Sequence, residues 1–168
     1  MQEKEIMEAA ERFCFKHNIT QCPVEIVRIC QAEGISVFEE NLPKNVSGFI
    51  VIQNDHFEYY GTGRLIAVNI RDSASRRRFT IAHELAHYIL HKDESQEFYA
   101  HRDTGQNGGI ENEANIFASC VLMPKALVIS LLRDLRENAT SAMKIVHIAK
   151  NFAVSQDASR VRLEKLGF

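Results

Sequence analysis

The stretch "RRRFTIAHELAHYILHK", Arg76 to Lys92, sets three histidines, His83, His87 and His91, at four-residue intervals and puts Glu84 directly after the first. A solvated helix gains little from stacked imidazoles, and a buried one must find a partner for each ring nitrogen. The spacing predicts a helix over roughly Ser75 to His91, with Ala82, Leu85, Ala86 and Ile89 on its packed side. The polarity of the rest then asks for a chemical use.

Residues 83–87 read HExxH. On a helix, positions i and i+4 project from one face, so His83 and His87 can grip one zinc ion while Glu84 serves as general base toward water. Zinc lowers the pKa of bound water to roughly 7, and a neighbouring carboxylate takes the proton as a carbonyl carbon is attacked. A catalytic zinc site needs a third protein ligand and an open position. His91 is a poor third ligand, because eight residues of helix separate it from His83 by about 12 Å along the axis. A metzincin pattern would need histidine at position 93, which is Asp93. His91 is therefore expected beside the site or at the helix C-terminus.

The next helical run, "ENEANIFASCVLMP", offers the missing ligand. Glu111 and Asn115 stand at i and i+4, so both can face the histidine helix, Glu111 as ligand and Asn115 orienting a ligand by hydrogen bond. Glu113 is rotated off that face and is the alternative, and the plain structural account of both glutamates is surface charge. Tyr88, Tyr99, His101, Arg102 and His147 are polar groups that folding could bring near the ion to stabilise an oxyanion, and the sequence does not choose among them.

Around this core the pattern is that of one α+β domain. At 168 residues, 45% hydrophobic and 25% charged, the chain can bury a core without disulfide or metal support. Glu3 to Lys16 is an amphipathic helix. A second helix follows between Pro23 and Gly34, with a short strand around Ile35 to Phe38. Gly48 to Gln53 and Arg64 to Ile70 are β-rich runs, which predicts a small, largely antiparallel sheet. Lys92 to Gly109 reads as a long functional loop. A mainly helical C-terminal half then continues through Lys125 to Glu137, Ala142 to Phe152 and Gln156 to Leu166, giving a zincin-like order of elements.

Charge and leader signals narrow the class. A formal net charge of −2 argues against a dedicated nucleic-acid binder, and Arg76 to Arg78 reads as a solvated first helical turn. The start "MQEKEIMEAAERFC" lacks an apolar secretory core and no run reaches membrane-spanning length, so a cytoplasmic protein is expected, with no membrane partner. Cys14, Cys22, Cys30 and Cys120 have no CxxC spacing and read as buried hydrophobes. A binding alternative comes from the last two helices, which resemble a helix-turn-helix carrying Arg160, Arg162 and Lys165, interspersed with Asp157 and Glu164.

"RRRFTIAHELAHYILH", "ENEANIFASCVLMP" and the closing "IAKNFAVSQDASRVRLEKLGF" together resemble the ImmA/IrrE family of metallo-endopeptidases over roughly Gly48 to Phe168. The small departure is Val121, where leucine is usual. The resemblance implies zinc ligands at His83, His87 and Glu111 and a catalytic Glu84. It also implies intracellular cleavage of a helix-turn-helix transcriptional repressor, derepressing a mobile-element or stress regulon. Zinc is the expected cofactor, although a His₂Glu site also accepts Mn²⁺ or Fe²⁺. Two non-catalytic readings stand beside it, a metal-bound antirepressor that sequesters its partner and a DNA-binding regulator. The expected organisation is a single zinc metallopeptidase domain over 1–168; the substrate's identity and the oligomeric state are not legible.

Overall fold

A computed structural model describes residues 1–52, 63–91, 108–136 and 138–168. Helix α1 (Glu3–Lys16) and the short α2 (Ile26–Ala32) lead into strand β1 (Ser36–Glu40), followed by β2 (Gly48–Ile52) and β3 (Arg64–Asn69). Helices α3 (Ala74–His91), α4 (Gly108–Leu122), α5 (Lys125–Arg133), α6 (Ser141–Phe152) and α7 (Gln156–Leu166) complete the α+β chain. The elements read from periodicity are all present, with ends shifted by a few residues. The stretch read as a loop falls, over 92–107, outside the described residues, as does Gln53.

The sheet is small, as expected, and mixed rather than largely antiparallel. Its order is β1-β3-β2, with β3 antiparallel to β2 but parallel to β1. The reason lies in the β1–β2 connection, which passes the end of β3 and lets that strand insert between its neighbours. Asn69, 2% exposed, holds the crossing. Its amide nitrogen donates to the carbonyls of Leu42, Pro43 and Val46 at 3.3, 3.2 and 2.8 Å. Periodicity marks strands but carries no record of such a distant hub.

Helix α3 lies at the centre, and all nine residues from Thr80 to Tyr88 are buried. Strands β2 and β3 pack on one side of it, α4 on another and α2 on a third. Gly48 is the closest approach: a β-carbon there would sit 2.5 Å from Thr80 Cγ2 and 2.6 Å from the Ala67 carbonyl, so only glycine lets β2 lie this near the helix. Helix α4 also packs on α1, with Phe13 and Phe117 edge to face at 5.5 Å.

Of the arginines expected in a solvated turn, Arg76 is exposed and Arg77 and Arg78 are half-buried, and all three also act as braces. Ser73 Oγ accepts the Arg76 N–H at 3.3 Å and starts α3. Arg76 then reaches Ser47 Oγ at 3.2 Å, and Arg77 donates to the Asp72 carbonyl at 2.7 Å while pairing with Glu39 at 3.1 Å. Half-buried Arg78 donates to the Val24 carbonyl at 2.8 Å and the Phe152 carbonyl at 3.5 Å. Three neighbouring side chains thus fix α3 against the β1–β2 connection, the strand ends, the segment before α2 and the end of α6.

Among the described residues no single helix is long and apolar enough to cross a membrane. Helices α4 and α5 are apolar in sequence but meet at a 47° bend at Met123 and Pro124, and α4 owes its apolarity to burial.

Candidate metal centre

Helices α3 and α4 bring His83, His87 and Glu111 together so that one ligand atom from each lies within 4.8 Å of the others. Glu111 faces both rings, with Oε2 3.1 Å from His83 Nε2 and Oε1 3.2 Å from His87 Nε2. The two Nε2 atoms are themselves 3.0 Å apart. Tetrahedral ligation at about 2.0–2.1 Å separates donor atoms by roughly 3.3–3.4 Å. Opening each edge of the triangle by a few tenths of an ångström would therefore admit zinc, and the donor set, two imidazoles and a carboxylate, is one zinc accepts.

The imidazoles are 3% and 2% exposed, while the Glu111 side chain is 35% exposed, so the carboxylate faces the open side. Asn115, one turn beyond Glu111 on α4, accepts through Oδ1 from His83 Nδ1 at 2.9 Å. An amide oxygen can only accept, so Nδ1 carries the proton, and in the neutral ring Nε2 keeps the lone pair that a metal ion would take. Glu84, on the same turn as His83, is 0% exposed. Phe79 lies one turn earlier, its ring 6.4 Å from that of His83.

His91 and Glu113 pair with each other beside the triangle, the His91 ring 5.8 Å from that of His87. His91 Nε2 stands 3.5 Å from Glu113 Oε2, and Glu113 also takes the Met1 ammonium. Burial holds the His91 imidazole below its usual range, against the opposing pull of Glu113. Sequence reasoning set Glu113 off the ligand face but could not find this partner, which arises only when the first turn of α4 is laid beside the last turn of α3.

Of the oxyanion candidates, buried Tyr88 takes a hydrogen bond from Arg64 Nη1 on β3 at 3.2 Å. Half-buried His147 lies on α6. Tyr99, His101 and Arg102 lie outside the described residues.

The helix-turn-helix shape is present at α6–α7, turning through Ala153 at φ 53° and capped by Ser155. Its cations are already engaged. Arg160 pairs with Glu164 at 3.1 Å, Lys165 with Glu3, and Arg162 is buried with Nε donating to the Met123 carbonyl at 3.1 Å. One of the three cations expected for phosphate contact, Arg162, is spent inside the fold.

A groove of about 470 Å³ lies between α3, α4 and α7, walled by Phe79, Asn115, Ser119, Val154, Ala158 and Val161. Asn115, which hydrogen-bonds His83, is the link between this groove and the triangle.

The family model described as the IrrE N-terminal-like domain (Peptidase_M78) matches residues 30–164. No curated protein matches the chain. Among solved structures it is similar to a Mycobacterium tuberculosis transcriptional regulator, with a TM-score of 0.63 and 19% identity over 96% of this chain and 46% of that one. That likeness is one of fold, and the chain spans about half the length of the regulator it matches.

Proposed function

Because the chain belongs to the IrrE N-terminal-like domain family, a peptidase family, we propose that residues 1–168 form a zinc-dependent endopeptidase domain acting inside the cell on a helix-turn-helix transcriptional repressor. The observation that carries the peptidase reading is the His83, His87 and Glu111 triangle with buried Glu84 on the same turn. The substrate class rests on the resemblance to ImmA/IrrE enzymes, and cleavage would relieve repression of a mobile-element or stress regulon.

His83, His87 and Glu111 would hold a divalent ion, which would supply Lewis acidity toward a carbonyl oxygen and water. The chain's own residues do the rest. Asn115 keeps the proton of His83 on Nδ1, which fixes Nε2 as the ligating atom. The Glu84 carboxylate takes a proton from the attacking water and returns it to the nitrogen of the leaving amine. Phe79, Val154 and Val161 give the groove an apolar wall for a side chain flanking the scissile bond. Asn115 Oδ1 is occupied by His83, so the amide N–H groups remain as donors at the groove's edge.

The test is titration of purified, zinc-supplied protein against helix-turn-helix repressors encoded near its gene, read by mass spectrometry of fragments. An endopeptidase cuts one of them completely at substoichiometric protein. Equimolar saturation with the partner left intact would replace the reading by that of an antirepressor.

A further inference from the structure

A second cavity, of about 690 Å³, opens between α1, α4, α5 and α7 and shares no residue with the His83, His87 and Glu111 triangle. Met7, Cys14, Ile19, Cys120 and Leu127 make its walls apolar, and Arg162 reaches it from α7. Its volume falls in the range of small-molecule sites, about 300–1,000 Å³. Phe15 stands at the mouth, 90% exposed, an apolar ring that nothing covers among the described residues.

Arg162 is the group that assigns chemistry to this space. It is 3% exposed, and its hydrogen bonds go to the Met123 carbonyl and, from Nη1 at 3.1 Å, to Cys120 Sγ. Neither partner is charged: burial raises the Cys120 thiol above its ordinary pKa, so the sulfur stays protonated. Among the described residues no carboxylate forms an ion pair with Arg162. A buried guanidinium without a counter-ion is strongly disfavoured. The two bonds use two of its five N–H groups, and a planar fork of donors matches a carboxylate. Glu11 and Lys125 also line the cavity, but both are exposed and of opposite sign.

We propose that this cavity binds an anionic amphiphile, a medium-chain fatty carboxylate, whose headgroup pairs with Arg162 and whose chain lies along Met7, Ile19 and Leu127. A neutral amphiphile of the same length fills the same apolar volume but leaves the guanidinium uncompensated. Headgroup charge therefore separates this site from a nonspecific greasy groove.

The experiment is calorimetric titration of the full chain with sodium decanoate and, in parallel, 1-decanol, alongside thermal melting in each. Decanoate should bind one to one, raise Tm, and bind at least tenfold more tightly than decanol. Ala126 is an exposed residue lining the cavity, so Ala126→Trp narrows the entrance from outside the core. It should weaken decanoate binding at least tenfold with Tm in buffer alone unchanged. Arg162→Gln should erase the preference for decanoate over decanol; should that variant fail to fold, the decanol comparison and Ala126→Trp still decide. Absence of one-to-one decanoate binding, equal affinity for decanol, or undiminished binding in Ala126→Trp would each overturn the proposal.

Discussion

Helix pairs α3–α4 and α6–α7 both carry ionisable residues at helical spacing, yet they treat charge in opposite ways. In α6–α7 the cations are engaged one by one: Arg160 by Glu164, Lys165 by Glu3, and Arg162 by two uncharged partners, a backbone carbonyl and a thiol. In α3–α4 two buried imidazoles converge on one carboxylate and on each other within 3.0–3.2 Å. Distributed pairing builds a scaffold, whereas convergence builds a site, because several donor atoms aimed at one point are of use mainly to something placed at that point. The difference is a matter of where side chains meet and not of how many charges a helix carries.

The largest effect that sharpens this contrast is on turnover. Glu84→Gln keeps shape and removes the proton acceptor, so kcat should fall about 10² to 10⁴-fold while bound zinc and Tm stay at wild-type values. A Glu84→Gln protein that cleaves its repressor at the wild-type rate would remove Glu84 from the mechanism.

Next is the hydrogen bond behind the ligands. Asn115→Ala frees the His83 ring and its tautomer, and zinc affinity should drop about 10 to 100-fold in competition with a chelator. Unchanged affinity would show that His83 is oriented without Asn115.

The support beneath the site should respond more moderately. Gly48→Ala drives a β-carbon to 2.5 Å from Thr80 Cγ2 and 2.6 Å from a backbone oxygen, so chemical unfolding should show a loss of about 1–3 kcal/mol. Equal stability would mean that β2 can slide off α3 without cost.

The smallest effect belongs to the scaffold pair. Arg160 and Lys165 sit in partly exposed, screened ion pairs, so replacing both with alanine should change stability by less than about 1 kcal/mol. Neither wild type nor the double variant should shift duplex DNA in a gel at physiological salt. A salt-sensitive shift lost in the variant would return α7 to the role of a recognition helix.

The sequence made the site's local part readable for a physical reason. His83 and His87 lie within one helix and Glu111 and Asn115 within another, and a period of 3.6 residues places each pair on one face without knowledge of the fold. Joining the two pairs took the motif spacing and the family resemblance. What stayed hidden depends on contacts between residues far apart in the chain. The insertion of β3, the Asn69 hub at the β1–β2 crossing, the bracing by Arg76 to Arg78 and the His91–Glu113 pair are all of that kind. Arg162 is the sharpest instance: as a residue on an amphipathic helix it reads as a phosphate contact, and only the packing of α7 on the end of α4 shows it buried.

Metal content by mass spectrometry, measured on folded wild type, His83→Ala, Glu84→Gln and Glu111→Ala after zinc is supplied, tests the central claim most directly. The account predicts about one zinc per chain in wild type and Glu84→Gln, with zinc lost or much weakened in His83→Ala and Glu111→Ala. Folded wild type without stoichiometric metal, or Glu111→Ala with a full complement, would contradict it.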